Sequence, residues 1–158
     1  MGAAISDYLP TQFLHRHFYQ KSANYVFRKL QQYNGRTSLL ALFHLGELTH
    51  YISDFCCSVH RSGKIGNARL HLSYERQMQQ YLIEHLGLLF YESSSMEIPP
   101  SVTSVLQAYY QQPAMNFHTD LLAAVQASFV VCKRYAVSIQ QEQQLIGGVS
   151  DGCCHSGI

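Results

Sequence analysis

Apolar residues recur with a helical period along most of the chain, and turn residues separate the periodic stretches. The strongest stretch is 38–55, SLLALFHLGELTHYISDF, which is apolar around much of its circumference and is typical of a buried helix. Thr37 or Ser38 is suited to cap its start, because both side chains can accept a backbone hydrogen bond. The same period predicts further helices over 21–33, about 70–90, 102–110 and about 116–144.

Turn-forming residues lie between these predicted helices. Residues 61–68, RSGKIGNA, indicate a loop, and residues 93–100, SSSMEIPP, indicate a linker. No stretch alternates cleanly with the period of a strand. The pattern therefore predicts an all-α fold, a bundle of four to five helices in one domain over residues 1–145, with a flexible Gly-rich tail over 146–158.

Composition and charge narrow the possible partners. The chain has 158 residues, the size of one domain, and a net charge of only +1. Duplex nucleic acid is not an expected partner, because neutralising phosphates requires a broad basic surface. The five cysteines are odd in number, include no CxxC pair and contain adjacent residues that seldom bridge, so they do not form a disulfide framework and a reducing compartment fits better. The N-terminus lacks a signal-peptide pattern, so a cytoplasmic location or export by a non-classical route is expected.

Two histidine–carboxylate pairs are the most informative chemical feature of the sequence. His50 and Asp54 are four residues apart, as are His71 and Glu75, and each pair falls in a predicted helix. Residues at this spacing share a helix face, with Cβ atoms about 5–6 Å apart, so both side chains can bind one ion. Imidazole and carboxylate together suit zinc. His60 lies about 240° further round a continuous helix from Asp54, so it reaches the same site only if the helix bends or ends first.

A single pair of this kind is more often a solvated helix pair than a metal site. The first pair, however, lies beside Leu48, Tyr51 and Ile52, in a helix with the pattern of a buried one. A buried carboxylate is costly unless it is paired or bound to a metal. Two pairs close together, with His60 between them, therefore predict one metal cluster.

The stretch FHLGELTHYISDFCCSVH closely resembles the signature of the bacterial zinc-dependent phospholipases C. That signature has Leu-Gly, then His, Tyr and Asp on one helix, then a His six residues on, an Asn, and a His-x-x-x-Glu helix. An upstream His-Phe-Tyr segment, preceded by an Asp-Tyr pair, also matches, and the long helix around Leu121 to Tyr135 resembles the closing helix of the family. The resemblance therefore spans about residues 7–140. The matching residues here are Asp7, Tyr8, His17, Phe18, Tyr19, Leu45, Gly46, His50, Tyr51, Asp54, His60, Asn67, His71, Tyr74 and Glu75.

The resemblance implies a zinc cluster within the helical bundle. One ion would be held by Asp7, His17, His50 and Asp54, and another by His60, His71 and Glu75. A third ion in the family needs an N-terminal Trp and a further His, and this chain contains no Trp. Two zinc ions are therefore expected. Cys56 and Cys57 lie between ligands, but the family uses nitrogen and oxygen ligands.

The resemblance also implies a reaction. The expected activity is metal-dependent phosphodiester hydrolysis, most closely the phospholipase C-type cleavage of a phospholipid headgroup by a metal-activated water. In the family Asp54 would bridge two metals, and Asp7 would orient or deprotonate the water, so these two are the expected catalytic residues. A phospholipid is the expected partner, together with a peripheral contact to a membrane.

Two alternatives belong to other functional classes. A single-strand nuclease of the same fold would need aromatic side chains that stack bases near the cluster, for which Phe18, Tyr19, Tyr51 and Tyr74 are candidates. Glu75 and the short gap from His60 to His71 favour the phospholipase branch. The second alternative is a non-catalytic, zinc-stabilised interaction domain, which the missing third ligand set would favour.

Overall fold

The described part of the chain folds into five α-helices, and the prediction of an all-α bundle is confirmed. A computed structural model describes residues 19–33, 38–61, 68–113 and 116–147. Of the predicted tail over 146–158, all but the first two residues lie outside these ranges. The helices are α1 (Tyr19–Gln32), α2 (Leu39–Phe55), α3 (Ala68–Ser95), α4 (Val102–Gln111) and α5 (Phe117–Gly147), with a short 3-10 helix at Ser58–His60.

Local signals set both ends of α2. The Ser38 hydroxyl accepts a hydrogen bond from the Ala41 amide at 3.2 Å and caps the first turn, as the sequence predicts. The helix ends at Phe55, and the 3-10 helix follows after two residues. The chain thus changes direction just before His60. This confirms the prediction that α2 has to bend or end in order to bring that residue back.

Helix α3 runs further than the sequence pattern predicts. Its last turn consists of the three serines assigned to a linker, and it ends at Ser95. Each of these hydroxyls donates to the backbone carbonyl of Phe90 or Tyr91 in the preceding turn, at 2.8–3.0 Å, so the serine side chains bond to the backbone of the helix itself. The helix also kinks at His85, where φ is −117° and ψ is 15°.

Helix α5 is the central element of the bundle, because α2, α3 and α4 all pack against it, and α1 packs on α2. The core between them is aliphatic and aromatic, with small residues on the α5 side. Its buried members are Val26, Leu48, Tyr51, Ile52, Phe55, Cys56, Val102, Val105, Leu106, Tyr109, Ala123, Ala127 and Val131.

The face that α5 turns to the core carries mostly small side chains. The buried positions are Asp120, Ala123, Ala127 and Val131, whereas Phe129 is 56% exposed. Small side chains let neighbouring helices approach closely, and that packing decides the face here rather than the size of the apolar side chains. Among the described residues, no helix is both long and apolar enough to cross a membrane.

Candidate metal centre

His60, His71 and Glu75 meet at the junction of the 3-10 helix and α3. Their ligand atoms all lie within 4.8 Å of one another. Glu75 Oε1 is 2.9 Å from His71 Nε2 and 3.5 Å from His60 Nε2. The two imidazole rings stand nearly perpendicular, with centroids 4.6 Å apart. Three side chains separated by up to fifteen residues thus converge on one point.

The donor set and its spacing suit zinc. Two imidazole nitrogens and a carboxylate oxygen are ligands that zinc takes in proteins. Ligand atoms about 2.1 Å from a tetrahedral ion lie about 3.4 Å from one another. The distances from Glu75 Oε1 to the two imidazoles, 2.9 and 3.5 Å, are close to that value. His60 is buried while His71 and Glu75 are 30% and 40% exposed, so the cluster opens to solvent on one side.

Two anchors fix the short turn that carries His60. The Arg61 guanidinium donates to the backbone carbonyls of Tyr110 at 2.7 Å and Gln112 at 3.0 Å, at the end of α4. It also lies over the rings of Tyr109 and Tyr110, 5.1 Å from each centroid. On the other side, Ser58 binds the buried carboxylate of Asp120 through its backbone amide and its hydroxyl.

His50 and Asp54 form the second predicted pair, on one face of α2. Asp54 Oδ2 lies 3.3 Å from His50 Nε2, and both side chains are less than one-fifth exposed. This distance also suits two ligands of one ion. Within the described part of the chain, His60, His71 and Glu75 are the only group of three potential ligands that lie close enough together to share an ion. The pair therefore needs ligands from elsewhere to complete a site.

The other two predicted ligands, Asp7 and His17, lie outside the described residues. The same is true of Asn67, Tyr8 and Phe18. Their assignments as ligands, and that of Asp7 as a catalytic residue, stay predictions.

Electrostatics keep Glu75 in the form that binds a cation. The hydrogen bond from His60 holds the pKa of Glu75 below its usual range. Burial opposes this effect, and attraction to the charges of His71 and His60 lowers the pKa further. The neighbouring thiols show the opposite effect. Burial raises the pKa of Cys57 to about 12 and that of Cys56 further, so both are protonated at neutral pH.

Aromatic residues near the cluster are largely enclosed by the bundle. Tyr51 is 1% exposed and Tyr74 is 6% exposed. Tyr19 packs edge-on against Phe55, with ring centroids 5.4 Å apart. All three rings were candidates for stacking nucleic-acid bases, and the burial of Tyr51 and Tyr74 removes their support for the nuclease alternative, whereas Tyr19 is only partly buried.

The contacts of two further polar residues, His118 and Asp120, could not be predicted from sequence spacing. His118 Nε2 lies 2.7 Å from Glu92 Oε2, and its Nδ1 lies 3.2 Å from the Tyr81 hydroxyl, so this histidine links α5 to α3. Asp120 lies against the turn that carries His60. One feature of the sequence could have indicated that Asp120 is buried. It lies three residues before Ala123, on a helix face of small residues that suits close packing.

Comparison with protein families accounts for this set of residues. A family model described as zinc dependent phospholipase C matches residues 1–127. The chain belongs to the zinc-dependent phospholipase C family. The match includes every predicted metal ligand, from Asp7 to Glu75, and extends into α5 as far as Ala127. No curated protein and no solved structure matches the chain.

Membership of the family indicates which metal and which class of substrate to consider for the cluster. The family is zinc-dependent and is named for cleavage of phospholipids. A zinc ion is therefore the metal to consider at the His60–His71–Glu75 cluster, and a phospholipid is the substrate that the family implies.

Proposed function

We propose that this protein is a zinc-dependent phosphodiester hydrolase with phospholipase C-type activity. The observation that supports it is the convergence of His60, His71 and Glu75 in a member of a zinc-dependent phospholipase family. The reaction adds water across the bond between phosphorus and the glycerol oxygen. It releases diacylglycerol, which takes up a proton on that oxygen, and the phosphorylated headgroup.

Two zinc ions are proposed, held by different parts of the chain. The His60–His71–Glu75 cluster would hold one ion, and His50 and Asp54 would hold the second together with Asp7 and His17. When bound, zinc supplies Lewis-acid stabilisation of phosphate charge and lowers the pKa of water. Asp54, whose Oδ2 lies 3.3 Å from His50 Nε2 on α2, would contribute its charge to both ions in this proposal, as the family resemblance implies.

The protein side chains have distinct tasks in this proposal. Glu75, ionised by its hydrogen bond from His60, supplies the negative charge of the first ligand set. The buried ring of His60 and the half-buried ring of His71 fix the direction from which a phosphate approaches. Asp7 is proposed to orient the attacking water and to accept its proton.

The proposal is tested by measuring zinc content and hydrolysis on the same preparations. The native chain is expected to hold about two zinc ions after dialysis and to release phosphocholine from phosphatidylcholine. Asp54→Asn is expected to lower the rate at least about a hundredfold, because an amide carries no charge to share between two ions. Asp120 and the core are left intact by this variant.

Controls separate the alternatives. Glu84→Gln changes an exposed carboxylate on α3 and is expected to leave zinc content and rate unchanged. Zinc bound with no hydrolysis of phosphatidylcholine would instead favour the non-catalytic domain. Hydrolysis of a single-stranded oligonucleotide alone would assign the protein to the nuclease branch. Full activity in Asp54→Asn would refute the role of that carboxylate.

We also propose that the surface beside the cluster contacts a phospholipid membrane. Leu70 and Leu72 flank the ligand His71 in sequence and are 69% and 65% exposed. Apolar side chains at the rim of a lipid-cleaving site can enter the acyl boundary of a bilayer, and burying each one is worth about 1.5–3 kcal/mol.

Replacing Leu72 is expected to weaken binding to lipid vesicles without affecting a soluble substrate. Leu72→Ser should lower the fraction bound in sedimentation with phosphatidylcholine vesicles about tenfold, while hydrolysis of a short-chain, monomeric substrate stays within about twofold. Leu39→Ser, in an exposed leucine at the opposite end of the preceding helix, is the matched control. Equal loss in both variants would contradict a membrane contact centred on the cluster.

A further inference from the structure

Asp120 is the most enclosed charged residue among those described, and it is outside every ligand set considered above. Its carboxylate is 2% exposed in the middle of the bundle, near the start of α5. Burying an ionised carboxylate is unfavourable unless hydrogen bonds replace its water. The network around it therefore has to supply several donors.

Four donors reach this carboxylate from three other elements. Oδ2 accepts from the Ser58 amide at 2.7 Å and from the Tyr74 hydroxyl at 2.9 Å. Oδ1 accepts from the Ser58 hydroxyl at 2.8 Å and from the Tyr109 hydroxyl at 2.9 Å. Burial raises the pKa of both tyrosines, so each hydroxyl keeps its proton and can donate. Both lone-pair regions of the carboxylate are thus occupied.

Two of these partners belong to the segments that carry the metal ligands. Ser58 begins the 3-10 helix that ends at His60. Tyr74 directly precedes Glu75 on α3 and lies one turn from His71. One carboxylate therefore holds together the two segments whose side chains converge on the cluster, although it contributes no ligand atom of its own.

We propose that Asp120 is a positioning residue for the His60–His71–Glu75 metal centre. By binding Ser58 and Tyr74 at once, it fixes the separation between the 3-10 helix and α3. This separation determines whether the imidazole of His60 and the pair on α3 can bind the same ion. The proposal rests on the proposed zinc site, and it concerns affinity for the metal rather than a step of the reaction.

Two of the four hydrogen bonds supply the test, because they come from tyrosines on different helices. Tyr74 and Tyr109 each donate one hydroxyl hydrogen bond of 2.9 Å to Asp120. Tyr74 is on the ligand-carrying helix α3, whereas Tyr109 is on α4, which carries no predicted ligand. Substitution by Phe removes one hydroxyl in each case and keeps the ring.

Zinc affinity is measured on the folded full chain by competition with a chromophoric chelator, alongside the thermal midpoint of the metal-free protein. Tyr74→Phe is expected to weaken zinc binding about tenfold, and Tyr109→Phe by less than about threefold, at similar losses of thermal midpoint. Asp120→Asn is expected to weaken it about 10–100-fold, because an amide nitrogen cannot accept from the donors it would face. Val26→Ala, in the core on α1, controls for destabilisation alone.

The outcomes separate this proposal from the one on which it rests. Zinc binding by the native chain, with losses ordered as Asp120→Asn, Tyr74→Phe and then Tyr109→Phe, supports the positioning role. Native affinity in Tyr74→Phe would show that Asp120 only stabilises the fold. A native chain that binds no zinc would overturn the metal centre itself, and the positioning role with it. If Asp120→Asn does not fold, the two tyrosine variants still decide.

Discussion

Removing zinc with a strong chelator is expected to lower the thermal midpoint of the native protein by about 8–16 °C. A ligand that binds only the folded state, at about 1,000 times its dissociation constant, stabilises it by about 4.1 kcal/mol. In a domain of this size each kcal/mol shifts the midpoint by about 2–4 °C. Without the ion, Glu75 and the imidazoles around it also lose the partner that their arrangement suits. Differential scanning calorimetry with and without chelator measures the shift.

Histidine variants show whether this shift arises at the cluster. His71→Ala is expected to melt near the chelated native protein and to lose most of its response to the chelator. His44→Ala is the matched control, because its side chain is 57% exposed on α2 and lies outside the cluster. It should keep the full response. A native protein that contains zinc but melts at the same temperature with chelator would show that the metal does not stabilise the fold.

Much of the fold could be predicted because its signals are local. The Ser38 cap, the period of the apolar residues in α2 and the break before His60 all depend on neighbours within a few residues. The end of α3 could not be located in the same way. Serine has a low helix propensity in isolation, but here the hydroxyls of Ser94 and Ser95 donate to the Tyr91 carbonyl, so both side chains bond to the helix backbone.

In the candidate site, too, local features could be predicted from the sequence and long-range contacts could not. Ligand pairs four residues apart, such as His71 and Glu75, are visible in the sequence because a helix fixes their separation. The contact between His118 and Glu92 joins residues 26 apart, and those of Asp120 with Ser58 and Tyr74 span 62 and 46 residues. Such contacts depend on how helices pack, which no spacing rule states.

Packing also decides which face of α5 is buried. Apolar residues lie around much of this helix, so the period alone does not single out one buried face. The face chosen is the one that carries Ala123 and Ala127, whose small side chains let the neighbouring helices approach. Phe129, one of the largest apolar residues on α5, is left on the surface. The difference between the two faces can be measured directly with a pair of phenylalanines.

Phe55→Ala is expected to lower the free energy of unfolding by about 3–5 kcal/mol, whereas Phe129→Ala should change it by less than about 0.5 kcal/mol. Phe55 is fully buried at the end of α2 and packs against the ring of Tyr19, so its removal leaves a cavity. Phe129 is 56% exposed, and truncation there exposes little new surface. Urea unfolding followed by circular dichroism, with metal present throughout, compares the two losses. Similar destabilisation by both variants would mean that α5 turns its phenylalanine face to the core, and the packing of Asp120 beside Ser58 would then be wrong as well.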